Sequence, residues 1–78
     1  MSYSPENINI GHRAAAAVIE RAERQRTSLG TQMKLLDVSR QQYYQWTKPH
    51  GVAPSALILA RMDALGYDVR YILTGKTD

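Results

Sequence analysis

Apolar residues in this chain recur every three or four positions, which is the spacing of one face of an α-helix. Between His12 and Arg26, alanines and long charged side chains favour a first helix. The face of this helix that we expect to be buried comprises Ala15, Val18, Ile19 and Ala22. Residues 1–10 lack such a period and contain a proline, so the sequence predicts a flexible, irregular arm there, followed by a single domain over 11–78.

The segment 28–46 predicts two short helices separated by a turn at Asp37. Thr27 or Ser28 can cap the first of them, because a hydroxyl at that position accepts a hydrogen bond from a free backbone N–H group. The apolar face of this helix comprises Leu29, Met33 and Leu36. Asp37 then interrupts the pattern, and aspartate adopts the left-handed backbone conformation of a turn more readily than most residues do.

A third helix is predicted to begin at Ser39. Ser39 and Gln42 have the spacing of a capping box, in which the serine hydroxyl and the glutamine side chain each satisfy a backbone N–H group. Pro49 disfavours helix at Lys48, so we expect this helix to end before Lys48.

Two further helices are predicted in the remainder of the chain. One follows Ser55 and stops at Gly66, because glycine suits the position just after a helix. The buried face of this fourth helix is expected to comprise Leu57 or Ile58, the stem of Arg61, Met62 and Leu65. Asp68 can cap a last short helix over 69–73. The pattern therefore predicts a compact all-α domain of five helices.

Length and composition exclude several classes of function. A chain of 78 residues forms one domain with a modest core, too small for a deep substrate pocket and a lid. It contains no cysteine and none of the side-chain arrangements that catalysis or metal binding requires, so we expect no enzymatic activity, cofactor or metal. The longest apolar run, residues 14–19, is far shorter than the roughly 20 residues that span a bilayer. We expect a cytoplasmic protein with no membrane partner.

Positive charge is concentrated in the middle of the chain. The formal net charge is +3, but residues 24–61 carry six basic groups and one acidic group, an excess of five. Residues 1–23 and 62–78 carry an excess of one acidic group each, and −1 + 5 − 1 gives +3. The basic excess therefore coincides with the pair of helices, as expected if that surface meets the phosphates of nucleic acid.

The third helix has side chains suited to reading DNA bases. Val38, Tyr43 and Trp46 fall on one face and are expected to be buried, with Trp46 in the core rather than acting as a stacking platform. The opposite face is expected to contact base edges through Arg40, Gln41, Tyr44 and Gln45. Arginine reads guanine and glutamine reads adenine in the major groove, while tyrosine can pack on a thymine methyl group or donate to a phosphate.

A second set of residues is expected to contact the DNA backbone or to cap the helices. It comprises Ser39, Gln42, Thr31, Gln32, Lys34 and Lys48. Gln42 is as well suited to the cap as to a base contact, and Ser39 can bind a phosphate at the helix N-terminus or serve only as the cap. Thr31 and Gln32 lie on the helix that would cross the backbone, and the two lysines are either phosphate contacts or merely solvated.

Two separated segments resemble the lambda-repressor-like (XRE-type) helix-turn-helix family of phage and bacterial regulators. The segment 36–46, LDVSRQQYYQW, is similar to the family's turn and recognition helix, and 64–75, ALGYDVRYILTG, resembles the close of many repressor DNA-binding domains. The resemblance covers roughly residues 12–75 and places a helix-turn-helix at about 28–46. The family usually has glycine at the position of Asp37, alanine at that of Met33 and often glutamine at that of Leu29.

The resemblance implies a small repressor that binds a palindromic operator in double-stranded DNA as a dimer. The family commonly pairs through its last helix, so the expected dimer interface comprises Tyr67, Val69, Tyr71, Ile72 and Leu73, although these residues can instead cap the core. We expect no small-molecule ligand. Two alternatives stay open: a protein-interaction module on the same scaffold, such as an antirepressor or an antitoxin, and an RNA-binding domain. Arg40 and three glutamines argue against the first, and the single exposed aromatic Tyr44 against the second.

Overall fold

The computed structural model describes residues 5–49 and 51–76, and within these ranges the chain forms five helices and no strand. The predicted all-α class is confirmed. The helices are α1 (Pro5–Gln25), α2 (Leu29–Leu36), α3 (Arg40–Thr47), α4 (Ala56–Ala64) and α5 (Val69–Thr74). The radius of gyration is 11.8 Å, close to the roughly 11.5 Å of a compact domain of this length.

The first helix begins earlier than the sequence predicted. An irregular arm was expected over 1–10, but α1 starts at Pro5 and is 21 residues long. Proline suits the first turn of a helix, where its missing N–H group has no partner to lose. In the second turn, Ile10 packs against the core and Gly11 is buried, so tertiary contacts hold this part of α1 in place. Residues 1–4 of the expected arm lie outside the described residues.

Helix α1 is the centre of the domain, because α2, α3 and α5 all pack against it. Its buried stripe consists of small residues and one valine: Ala14, Ala15, Val18 and Ala22. The prediction for Ile19 is wrong, since this side chain is 45% exposed. The buried stripe is centred on the alanines, which allow three neighbouring helices to approach closely, and Ile19 lies beyond its edge.

Helix α4 buries a narrower face than expected. Ile58 and Met62 are buried, whereas Leu57 is 61% exposed, which settles the choice between Leu57 and Ile58. Leu65 was also expected in the core but is 38% exposed, because it is the C-cap residue, where the chain leaves the helical direction. Gly66 follows with a φ of 92°, in the position predicted for it.

Helices α1, α2 and α4 end in the same way, with a left-handed residue after the last turn. In α2, Asp37 donates its N–H to the Lys34 carbonyl at 3.1 Å and Val38 donates to the Met33 carbonyl at 2.9 Å. This pair of bonds defines a Schellman motif, which satisfies the last carbonyl groups of the helix. Of these three helices, α4 has glycine as the left-handed residue, whereas α1 has Arg26 and α2 has Asp37, each with a φ of 55°.

Replacing Arg26 with glycine is expected to raise the free energy of unfolding by about 0.5–1 kcal/mol, because an L residue with a side chain is strained in the left-handed region. Thermal or urea unfolding measures the change. The matched control is Arg24→Gly, two residues earlier in α1, where the same substitution places glycine inside a helix and should destabilise the fold by about 1 kcal/mol. Equal effects of the two substitutions would contradict the assigned strain.

Candidate nucleic-acid interface

Three residues connect α2 to α3, and they contact both the core and helix α4. Asp37 is left-handed, Val38 is buried against the core, and Ser39 caps α3. From α4, Arg61 donates Nη1 to the Leu36 carbonyl at 3.3 Å, and its Nη2 lies 3.7 Å from the Asp37 carboxylate. These contacts link the last carbonyl of α2 and the turn to α4.

The capping box predicted at the start of α3 is confirmed. Ser39 accepts a hydrogen bond on Oγ from the Gln42 N–H at 3.1 Å, and its own N–H donates to Gln42 Oε1 at 2.9 Å. Gln42 thus serves as the cap through its oxygen. Gln42 remains exposed.

The inward face of α3 is as predicted. Val38, Tyr43 and Trp46 are buried, and the rings of Tyr43 and Trp46 pack with their centroids 5.8 Å apart. The Tyr43 hydroxyl donates to the Ala15 carbonyl of α1 at 3.4 Å. Aromatic packing and this bond fix the rotation of α3 about its own axis, and so determine which residues face outward.

The outward face of α3 presents the four residues expected to contact bases. Arg40, Gln41 and Tyr44 are exposed and Gln45 is half-buried. Three of them, with two residues from the end of the helix, line a shallow depression of about 560 Å³: Gln41, Tyr44, Gln45, Thr47 and Lys48. The sequence did not single out Thr47, although its spacing of three from Tyr44 places it on this face; its hydroxyl donates to the Tyr44 carbonyl at 2.8 Å.

Among the residues expected to contact the DNA backbone, the prediction for Gln32 is wrong. This side chain is only 1% exposed, and its amide nitrogen donates to Gln25 Oε1 at 3.0 Å and to Thr27 Oγ1 at 2.8 Å. Its oxygen accepts a bond from the Tyr67 hydroxyl at 3.4 Å. Gln32 thus links the end of α1, the α1–α2 connection and the α4–α5 connection, and it is not accessible to phosphate.

The other expected backbone contacts are all on the surface. Thr31 is exposed, but its hydroxyl is 2.9 Å from the Ser28 hydroxyl that caps α2. Lys34 at the end of α2 and Lys48 at the end of α3 are both exposed. Of these three residues, Lys48 borders the depression on the outward face of α3.

The end of α3 is fixed by a contact that the sequence did not reveal. His12 Nε2 lies 3.0 Å from the carbonyl oxygen of Lys48, the C-cap residue of α3. The two residues are 36 positions apart, and no local pattern connects them. The second histidine, His50, lies outside the described residues. His12 thus anchors the end of α3 to α1 and helps to position Lys48.

Two buried tyrosines have perturbed ionisation. Burial raises the pKa of Tyr43 above its usual value of 10.0, and the neighbouring Tyr44 raises it further. Burial also raises the pKa of Tyr67, an effect opposed by the Arg21 guanidinium, whose central carbon lies 4.4 Å from the centroid of the tyrosine ring. In both cases the folded state favours the neutral phenol.

The raised pKa values of Tyr43 and Tyr67 predict a loss of stability at alkaline pH. Below pH 10 both tyrosines are neutral in the folded and the unfolded chain, so they contribute no pH dependence. Above pH 10 the unfolded chain releases these protons first, and the free energy of unfolding falls until the folded pKa is passed. Urea unfolding at a series of pH values from 8 to 11.5 measures the slope. Tyr43→Phe should flatten it above pH 10, and an unchanged slope in this variant would contradict the assignment.

The five residues expected at a dimer interface differ in burial. Tyr67 and Ile72 are 7% and 1% exposed and belong to the core of the single chain, so the prediction for these two is wrong. They fill the space between α1 and the last two helices. Val69 is half-buried against the core, whereas Tyr71 and Leu73 are 37% and 42% exposed. Only the last two present substantial apolar surface to a partner.

Comparison with models of protein families, with curated proteins and with solved structures finds no match to this chain. The resemblance to lambda-repressor-like regulators therefore stays a prediction. Within the described ranges, no helix has both the length and the apolar character needed to cross a membrane.

Proposed function

We propose that this chain is a sequence-specific regulator that binds double-stranded DNA through a helix-turn-helix formed by α2 and α3. The observation that carries the proposal is the outward face of α3, where Arg40, Gln41 and Tyr44 are exposed while the opposite face is locked into the core. A helix of this size fits the major groove, and base readout needs its donors and acceptors to point away from the domain.

In this proposal, Arg40 and the glutamines read the sequence. Arg40 is the first residue of α3, and in helix-turn-helix proteins the N-terminal residues of the second helix contact the base edges. Its guanidinium would donate to O6 and N7 of a guanine, and a glutamine amide would pair with N6 and N7 of an adenine. Thr31, Lys34 and Lys48 would contact phosphates on either side and set the register without reading bases.

Regulation would follow from occupancy of the DNA site. A repressor bound over a promoter blocks access to it, and two copies on a two-fold operator would place their α3 helices in successive major grooves about one helical turn apart. Tyr71 and Leu73 are the exposed apolar residues of α5 that are available for pairing. We therefore propose a small cytoplasmic repressor that acts as a homodimer on a palindromic operator.

Selection of bound duplexes from a random DNA pool at near-physiological salt tests the proposal. Enrichment of an inverted repeat with half-sites about one helical turn apart is the expected result, because specific sites are bound about 10³–10⁷ times more tightly than random DNA. Binding without enrichment, lost as salt rises, would reduce α3 to a phosphate-binding surface. Absence of DNA binding would overturn the proposal and favour a protein-interaction module.

A further inference from the structure

A groove on the side of α1 lies outside the α2–α3 pair proposed to bind DNA, and it shares Tyr71 with the proposed pairing surface. It lies between α1 and the segment 66–72, which joins α4 to α5 and forms most of α5, and it has a volume of about 380 Å³. Ala16, Ala17 and Tyr71 give it an apolar surface. The volume falls in the lower part of the range of small-molecule sites, and is too small for a docked helix.

An arginine of α1 stands at each end of the groove. At one end Arg13 donates Nε to the Ile72 carbonyl at 2.8 Å and Nη2 to the Leu73 carbonyl at 3.2 Å. At the other end Arg21 donates Nη2 to the Leu65 carbonyl and lies over the ring of Tyr67. The two residues are eight positions apart in one helix, so their Cα atoms are about 12 Å apart along its axis.

No carboxylate among the residues that the structure describes forms an ion pair with either of these arginines. Among the described residues, the acidic groups that line the groove are Glu20, which pairs with Arg24, and Asp68, which accepts the Tyr71 N–H at 3.0 Å. Neither forms an ion pair with Arg13 or Arg21. Each guanidinium has five N–H groups, and the carbonyl bonds use two of those on Arg13 and one on Arg21. Donors therefore remain at both ends.

We propose that this groove binds an elongated organic dianion, a molecule with an apolar chain and a carboxylate at each end. The chain would lie against Ala16, Ala17 and Tyr71, and the two carboxylates would accept hydrogen bonds from Arg13 and Arg21. Charge-assisted bonds of this kind are stronger than neutral ones, and an apolar chain gains by leaving water. This binding site departs from the sequence-based expectation that no small molecule is bound, and it shares Tyr71 with the exposed apolar surface proposed for pairing.

Calorimetric titration of the chain, without DNA, with α,ω-dicarboxylates of increasing length tests the site. Adipate, suberate, sebacate and dodecanedioate are the probes, and octanoate is the monocarboxylate matched to suberate. We expect affinity to pass through a maximum at one length, because both carboxylates must reach their arginines, and octanoate to bind about ten-fold more weakly than suberate. No binding, or affinity that rises steadily with chain length and equally for octanoate and suberate, would overturn the proposal.

A variant that fills the groove tests where the ligand binds. Ala16 is exposed and lines the groove, so Ala16→Leu occupies its space while leaving both arginines and the buried core residues in place. The matched control is Ala60→Leu, at an exposed position of α4 away from the groove lining. We expect A16L to abolish binding of the best dicarboxylate and A60L to leave it unchanged, with both variants folded by circular dichroism. Retention of binding in folded A16L would overturn the assignment.

Discussion

Replacing Gly11 with alanine is expected to lower the free energy of unfolding by about 2–3 kcal/mol, in the upper part of the range for an overpacked core. A Cβ atom at this position would lie 2.6 Å from the Val52 carbonyl oxygen and 3.1 Å from that of Trp46. Both are backbone atoms, so no flexible side chain can move aside, and α1 would have to separate from the end of α3. The loss outweighs the roughly 1 kcal/mol that alanine gains over glycine inside a helix. Urea unfolding measures the change.

The chain contains a matched control for this substitution. Gly30 is also helical, but a Cβ atom there would meet only the Ser28 hydroxyl oxygen, at 3.8 Å. Gly30→Ala is therefore expected to stabilise the fold by about 0.5 kcal/mol through helix propensity alone. The same chemical change should thus have opposite signs in α1 and α2. A stable Gly11→Ala variant would mean that α1 and α3 are not in the close contact described.

Replacing Arg40 with alanine is expected to weaken binding to the selected operator by about 10- to 100-fold, corresponding to roughly 1–3 kcal/mol for one bidentate contact to a base. Affinity for a random duplex should change little. Arg40 is exposed at the start of α3 and outside the packed face, so the fold should be unaffected. Fluorescence anisotropy with the operator and a scrambled duplex, at one fixed salt concentration, measures both affinities.

Lys48→Ala is the matched control for a contact to phosphate. It should weaken binding to the operator and to random DNA by the same factor, and it should reduce the slope of log affinity against log salt by about one. An equal loss of affinity for both duplexes in Arg40→Ala would assign Arg40 to a contact with the DNA backbone. Base recognition would then be left to Gln41, Tyr44 and Gln45. Loss of binding only to the operator, with unchanged salt dependence, would identify a base contact.

Features fixed by residues close in sequence could be predicted. Ser28, Ser39 and Asp68 cap their helices as expected, because each cap depends on a hydroxyl or carboxylate and an N–H group three residues later. The left-handed turn at Asp37 was predicted for the same local reason. The inward and outward faces of α3 followed from helical period and the positions of its large aromatic residues.

Features fixed by distant contacts could not be predicted. Gln32 looks like a surface residue in its own helix, yet Gln25, Thr27 and Tyr67 enclose it. Gly11 was assigned no role in helix packing, because its contact with the backbone of 46–52 is invisible in local sequence. The groove beside α1 also depends on two arginines whose partners are more than 40 residues away.

The bonds from Arg13 to the carbonyls of Ile72 and Leu73 join residues about 60 positions apart, which has a consequence for synthesis of the chain. Helix α1 is translated first among the five helices, but one of the faces it buries is covered only when α5 has been made. At roughly 5–20 residues per second this interval is on the order of 3–12 seconds. During that time the part of α1 that packs against α5 is open to chaperones and to other growing chains, so slower translation of the last third should increase aggregation rather than reduce it.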